Sequence, residues 1–161
     1  MANFTGANVC DVVEIETYQP DAFSFGIASN DSKVSHYITQ TTNDIFRDLR
    51  IKWWPMYKSN IYTDITVLNT AEMVNTKVDL DQFKRAGVYL FLSRYFLPSL
   101  TKFRPEADKD RFERMSEHYA SEYNKEWRAI LEDGVEYDSD AGGTISTSER
   151  EPLHGLRRLN R

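Results

Sequence analysis

The sequence predicts a mainly α fold: a small helical bundle of three main helices with a minor β-hairpin or extended segments and a flexible C-terminal tail. Apolar side chains recur every three or four residues in three separate stretches, the pattern of amphipathic helices. Hydrophobic residues make up 40% of the 161, which suffices for a core. We divide the chain into an irregular N-terminal segment (1–29), a helical core domain (30–134), an acidic, glycine-containing hairpin or loop (135–149) and a basic C-terminal tail (150–161).

The first third of the chain predicts a short strand followed by a helix. Residues 9–15 are rich in valine and isoleucine, which favours a strand. The helix is expected to begin at the N-cap cluster of residues 30–32 and to run to about Lys52. Its end is expected at Trp53-Trp54-Pro55, because the residue before a proline avoids helical geometry.

The middle of the chain predicts an extended segment or short hairpin over residues 56–76, and then the second helix. Asp79 and Gln82 form a capping-box-like pair three residues apart, so the helix is expected to start at Asp79. Residues 83–97 are apolar around most of the helix, which is typical of a central core helix. Pro98 is expected to kink or end it.

The third helix has the clearest pattern. Pro105 suits a first helical turn, and Asp133-Gly134 is a stop signal. Six large apolar residues lie three or four apart on one stripe: Phe112, Met115, Tyr119, Tyr123, Trp127 and Ile130. After this helix, residues 135–137 and 144–146 flank a glycine-containing turn, which predicts a short hairpin or a folded loop.

Composition indicates a soluble protein made in a reducing cytoplasm. No secretory signal is visible, and no apolar run reaches the ~20 residues that a membrane helix needs. Cys10 is the single cysteine and is expected to be an unreactive thiol. The net charge of −5 gives no general indication of nucleic-acid binding.

The sequence contains no recognisable catalytic motif. His36, His118 and His154 are far apart and lie in no metal-binding pattern. Glycine loops for phosphate, nucleophile elbows and Cys-x-x-Cys pairs are absent. We therefore expect a protein that is not an enzyme and uses no cofactor, although scattered residues can still assemble a site on folding.

One stretch, residues 138–149, partly matches a calcium loop. Asp138, Asp140 and Glu149 fall at loop positions 1, 3 and 12, with Gly143 at position 6. Position 5 is Gly142, which brings no side-chain ligand, and the flanking segments contain helix breakers. These three carboxylates are weak metal candidates, and a glycine-rich turn is the preferred interpretation.

Two groups of residues are predicted to bind partner proteins. The first is an exposed aromatic surface, because adjacent tryptophans are not expected to face one core; its members are Trp53, Trp54, Tyr57 and Tyr62. The alternative is that these side chains wrap around the helical core. The second group lies in the basic tail and consists of Leu153, Arg157, Arg158 and Arg161.

The layout resembles the head-to-tail connector (adaptor, or head-completion) proteins of tailed bacteriophages. The residues that carry the resemblance are 89–97 (YLFLSRYFL), Phe103-Arg104-Pro105, the helix over 110–131 and the tail after Glu149. It extends over residues 30–161 and rests on layout, since these families have no short diagnostic motif.

The resemblance implies a virion structural protein of the neck, made in the host cytoplasm. Such subunits form a ring, expected here to be a homo-oligomeric dodecamer, that joins the portal protein to a tail or stopper protein. DNA passes through the ring without sequence-specific binding, and no membrane partner is implied. The alternative function is a calcium-responsive or regulatory protein-binding module, and a small helical enzyme is a third.

Overall fold

The computed structural model describes residues 7–101 and 110–151, and within them the fold is mainly α as predicted. The described residues form two compact units built from interleaved segments. The first unit contains residue 7 and the ranges 46–82 and 128–151. The second unit contains the ranges 8–45, 83–101 and 110–127.

The N-terminal region is helical, and the strand predicted over residues 9–15 is wrong. Helix α1 covers Val12–Tyr18, and a 3-10 turn follows at Ala22–Phe25. A capping box starts α1: the Asp11 carboxylate accepts the Glu14 N–H at 2.8 Å, and Glu14 accepts the Asp11 N–H at 2.9 Å. This local pair satisfies two N–H groups at the helix start and outweighs the strand preference of valine and isoleucine.

The predicted first helix is present as α2, Ser32–Asp48, but its predicted end at residue 53 is wrong. A π-helical segment, Leu49–Trp53, leads directly into α3, Trp54–Ile61. Pro55 lies in the first turn of α3, where a missing backbone N–H costs little. The chain therefore stays helical through the proline.

The stretch after α3 is also helical, so the extended segment or hairpin predicted over residues 56–76 is wrong. Helix α4 covers Ile65–Thr70, and a 3-10 turn covers Asn75–Lys77. The Asp64 carboxylate caps α4 by accepting the Thr66 N–H at 2.8 Å. Again a capping side chain decides the local structure against β-branched residues.

The second predicted helix is built from several pieces. A 3-10 turn, Leu80–Phe83, precedes α5, Lys84–Leu90; a π-helical segment, Phe91–Phe96, and α6, Leu97–Leu100, complete it. Gln82 does not form the expected capping box. Its side chain donates to the Gly134 carbonyl at 2.7 Å and accepts the Glu136 N–H at 3.0 Å.

The third predicted helix is α7, Arg111–Asp133, and its predicted stop is confirmed. Gly134 has a φ of 103°, and its N–H donates to the Ile130 carbonyl at 2.9 Å. Strand β1, Val135–Glu136, then pairs antiparallel with β2, Arg150–Glu151. The minor hairpin is therefore present, but its second strand is β2 and not the predicted residues 144–146.

Each unit has its own apolar core. In the second unit Ile15, Ile45, Phe83, Phe91 and Phe96 are fully buried, and Trp127 packs against Phe83 with ring centroids 5.9 Å apart. In the first unit, buried apolar residues surround β1 and α3; they are Leu49, Trp53, Trp54, Tyr57, Met73, Val78, Leu80, Ile130, Val135 and Tyr137.

Candidate functional site

The adjacent tryptophans belong to an aromatic cluster within the first unit. Trp53, Trp54, Tyr57 and Tyr137 lie with ring centroids between 4.5 and 5.9 Å apart. Two hydrogen bonds fix its rim. The Trp54 indole N–H donates to the Ala71 carbonyl at 3.2 Å, and the Tyr137 hydroxyl accepts the Val74 N–H at 3.2 Å.

The predicted exposure of these aromatic residues is wrong. Trp53, Trp54 and Tyr57 expose 1%, 6% and 3% of their surface, and Tyr62 is half-buried. Burial also raises the pKa of Tyr57 to about 12. Successive helical side chains diverge by only ~100°, so one broad apolar wall that includes Tyr137 covers both indoles. These three side chains stabilise the unit and are not available as a contact surface.

The exposed apolar side chains of the same stretch are aliphatic. We define the aliphatic surface as six residues of the first unit: Ile51, Met56, Ile61, Ile65, Val67 and Val74. Ile65 and Ile51 are the most exposed, at 71% and 65%. Sequence reasoning missed this set because it predicted an extended segment or hairpin after Pro55 and an exposed aromatic surface. In α3 the aromatic Trp54 and Tyr57 are buried, and the aliphatic Met56 and Ile61 are exposed.

The structure brings the three weak metal candidates together within the first unit. One carboxylate oxygen from each of Asp138, Asp140 and Glu149 lies within 4.8 Å of the other two. Asp138 and Glu149 are buried, whereas Asp140 is exposed. The sequence pattern therefore identified a real cluster, since residues 138–149 fold back on themselves.

The carboxylate oxygens of this loop accept hydrogen bonds from the loop itself. Glu149 Oε1 accepts the N–H and the hydroxyl of Ser139, at 2.7 and 2.9 Å, and the Asp140 N–H at 3.3 Å. Glu149 Oε2 accepts the N–H and hydroxyl of Ser146. The two Asp138 oxygens accept the N–H groups of Gly142 and Gly143.

These hydrogen bonds lower the pKa of Glu149 to about 2. The Ser146 N–H is the largest cause, burial opposes it, and the serine hydroxyls and the Asp140 N–H reinforce it. A cation would have to replace or share oxygen atoms that already accept N–H groups. The geometry supports a carboxylate-organised loop more directly than an ion site.

The second unit contains a buried polar group that the sequence did not reveal. One Asp44 oxygen accepts hydrogen bonds from Arg94 at 2.7 Å and from the Tyr95 hydroxyl at 2.6 Å. Asp44 is buried, so this pairing compensates the cost of removing its charge from water. The group joins α2 to the π-helical segment Phe91–Phe96. Asp44 and Arg94 are 50 residues apart in the sequence, so no local motif indicates their pairing.

Cys10 is buried in the second unit, which agrees with the expected unreactive thiol. Burial raises its pKa to about 12, and the nearby carboxylates of Glu14 and Asp11 act in the same direction. Very little thiolate exists at neutral pH under these conditions. His36 and His118 lie on α2 and α7, while His154 lies outside the described residues.

The predicted partner-binding residues of the tail, Leu153, Arg157, Arg158 and Arg161, lie outside the described residues. Only Arg150 and Glu151 of the tail are described, and they form β2. Arg150 forms ion pairs with Glu136 and, at 3.8 Å, with Asp133.

No match to a protein-family model, to a curated protein or to a solved structure was found for the chain. Across residues 7–101 and 110–151, none of the helices has the length and apolar character required to cross a bilayer.

Proposed function

We propose that the chain is a virion structural protein, a subunit of the head-to-tail connector ring that joins the portal to the tail. The observation that carries the proposal is the aliphatic surface, which places six large apolar side chains in contact with water. Contiguous exposed apolar patches are typical of protein–protein contact surfaces, and these six residues all lie between positions 51 and 74. The layout resemblance described above adds the class of assembly.

The proposed mechanism is passive: the subunit matches two assemblies and catalyses no reaction. The aliphatic surface contacts a neighbouring protein, and the basic tail docks on the portal through Leu153, Arg157, Arg158 and Arg161. The proposed ring is a dodecamer that lets DNA pass without reading its sequence. Its location is the neck of the virion.

An experiment on particles tests the location. An antibody raised against the chain should detect it in purified phage particles produced from the source genome, and immuno-electron microscopy should place the label between head and tail. Absence of the chain from such particles would contradict the proposal.

A truncation tests the tail. Because Arg150 and Glu151 form β2, the deletion should begin at residue 152. The truncated protein should keep the circular dichroism spectrum of the full chain and fail to bind the portal protein. Normal binding would show that the tail is not the docking element. A chain with Arg128→Ala, on an exposed part of α7, is a matched control for loss of positive charge.

The alternative, a calcium-responsive or regulatory protein-binding module, is favoured by one observation, the convergence of Asp138, Asp140 and Glu149. Calorimetry discriminates between the two. A calcium-responsive module gives saturable heat on calcium addition, and Glu149→Gln abolishes that heat.

A further inference from the structure

Two stretches of the sequence differ in the sign of their charge. Residues 1–32 contain five carboxylates and no lysine or arginine, whereas residues 45–63 contain four cations and one carboxylate. This separation is not expected from the overall composition, where both signs are frequent. The two stretches therefore carry net charges of opposite sign.

The first region is the acidic patch, which we define as Asp11, Val13, Glu16 and Asp21. All four side chains are exposed, and Val13 exposes 68% of its surface. Glu16 and Val13 lie three positions apart on α1, so they share one face of the helix. Since α1 has only seven residues, its length is ~10 Å, and Asp11 forms its N-terminal cap.

The second region is the basic patch, which we define as Arg50, Ile51, Met56 and Lys58. Arg50, Ile51 and Met56 are exposed, and Lys58 is half-buried. These residues lie on the continuous helical stretch from Leu49 to Ile61, where Ile51 and Lys58 are seven positions apart and share one face. Ile51 and Met56 also belong to the aliphatic surface.

We infer that the acidic patch of one copy of this chain binds the basic patch of a second copy. Each patch offers exposed aliphatic area for burial and charges that match those of the other patch, which favours this pairing over contact between two like patches. A contact between two different surfaces is heterologous, so each of the two paired copies keeps its other patch free and can extend the assembly. This inference deepens the proposed function by naming a surface between subunits, but its argument stands on exposure and charge alone.

Charge reversal tests the inference in the full-length chain. The variant Glu16→Lys/Asp21→Lys makes both patches positive, and Arg50→Glu/Lys58→Glu makes both negative. Each variant alone should self-associate more weakly than the wild type, by roughly tenfold or more, because like charges then face each other. An equimolar mixture of the two variants should associate again, since every contact in it can join opposite charges. Analytical ultracentrifugation measures all three samples.

Three further measurements keep the test independent of folding defects. Lys33→Glu/Arg128→Glu makes the same change in net charge as Arg50→Glu/Lys58→Glu, at exposed positions outside both patches, and should associate like the wild type. Ile51→Ser should weaken association without changing any charge. Raising the salt concentration from about 0.05 to about 0.5 M should weaken wild-type association by screening the charges.

Several outcomes would overturn the inference. They are a wild type that stays monomeric at every concentration reached, variants that associate as tightly as the wild type, or a mixture that fails to associate. Binding of the wild type to phosphatidylglycerol vesicles that only the Arg50→Glu/Lys58→Glu variant loses, without self-association, would instead assign the basic patch to a membrane surface. The particle-labelling experiment is unaffected by these results, so the inference can fail while the proposed function stands.

Discussion

The carboxylate of Glu149 accepts both the backbone N–H and the hydroxyl of Ser146, at 2.9 and 2.8 Å. The same side chain reaches Ser139 and Asp140 with its other oxygen. One buried side chain thus connects two distant parts of the loop. Because residues 138–149 contain little apolar surface, the loop depends on this acceptor for its shape.

Replacing Glu149 by glutamine should destabilise the protein by about 2 kcal/mol at neutral pH. Glutamine keeps one oxygen, but its amide NH₂ group would face N–H and O–H donors and could not accept their hydrogen bonds. The remaining hydrogen bonds would also be weaker, because a neutral acceptor replaces a charged one. Urea denaturation measures the change. Glu132→Gln removes an exposed carboxylate and serves as the control, with little expected effect. Equal stability of the two variants would contradict the role of Glu149.

The contribution of Glu149 should depend on pH with a defined sign. Its pKa is about 2 in the folded protein against an ordinary value of 4.5, so the folded state favours the ionised form. The stabilisation is therefore complete above pH ~4.5 and is lost as the pH falls towards 2. The difference in unfolding free energy between wild type and Glu149→Gln should shrink over that interval. A difference that stays constant from pH 7 to pH 3 would refute the assignment.

Calcium at submillimolar concentration should give no saturable heat with the wild type. The oxygens of Asp138 and Glu149 accept N–H groups of their own loop, and a calcium ion needs six to eight oxygen ligands. Isothermal calorimetry checks this, with magnesium as a comparison. Saturable heat that disappears in Glu149→Gln would support the calcium-responsive alternative.

Truncation of a buried tryptophan should be far more costly than truncation of its exposed neighbour. Trp53→Ala is expected to destabilise the protein by about 3–5 kcal/mol, because it empties the centre of the aromatic cluster. Ile51→Ala, two residues away, should change stability by less than about 0.5 kcal/mol, since Ile51 is exposed. Similar effects of the two substitutions on chemical denaturation would contradict the burial of Trp53.

Helix α5 contacts the N-terminal segment at a position where only glycine fits. A Cβ on Gly87 would lie 2.7 Å from Cγ1 of Val9, and Val9 is fully buried and stiff. Gly87→Ala should therefore destabilise the protein by about 1–3 kcal/mol despite the better helix propensity of alanine. Val9→Ala should partly rescue Gly87→Ala by removing the clashing methyl groups. A double variant whose losses simply add would show that the two sites do not interact.

The sequence predicted those elements whose signals are local and repeated. The stripe of α7 and its stop at Gly134 are confirmed, and so is the mainly α class. The predictions failed where a single capping side chain, or the position of a proline in the first turn of a helix, decided the structure. Asp11 and Asp64 cap helices that β-branched residues had suggested were extended, and Pro55 follows a π-helical segment instead of ending the helix.

The candidate site was predicted only in part, for a related reason. The spacing of Asp138, Asp140 and Glu149 is a local signal, and these residues do converge. The burial of Trp53, Trp54 and Tyr57 could not be predicted locally. It involves ring contacts with Tyr137, which is 80 or more residues away in the sequence. Pairings over such separations, like that of Asp44 with Arg94, leave no trace in the local pattern.

Cys10 has a practical consequence for labelling. The chain has a single sulfhydryl, and its burial and raised pKa withhold it from maleimide reagents in the native state. A new cysteine at an exposed position such as 13 or 51 would then react alone, without removal of the original one. Donor and acceptor dyes on separate copies could report subunit proximity directly by energy transfer.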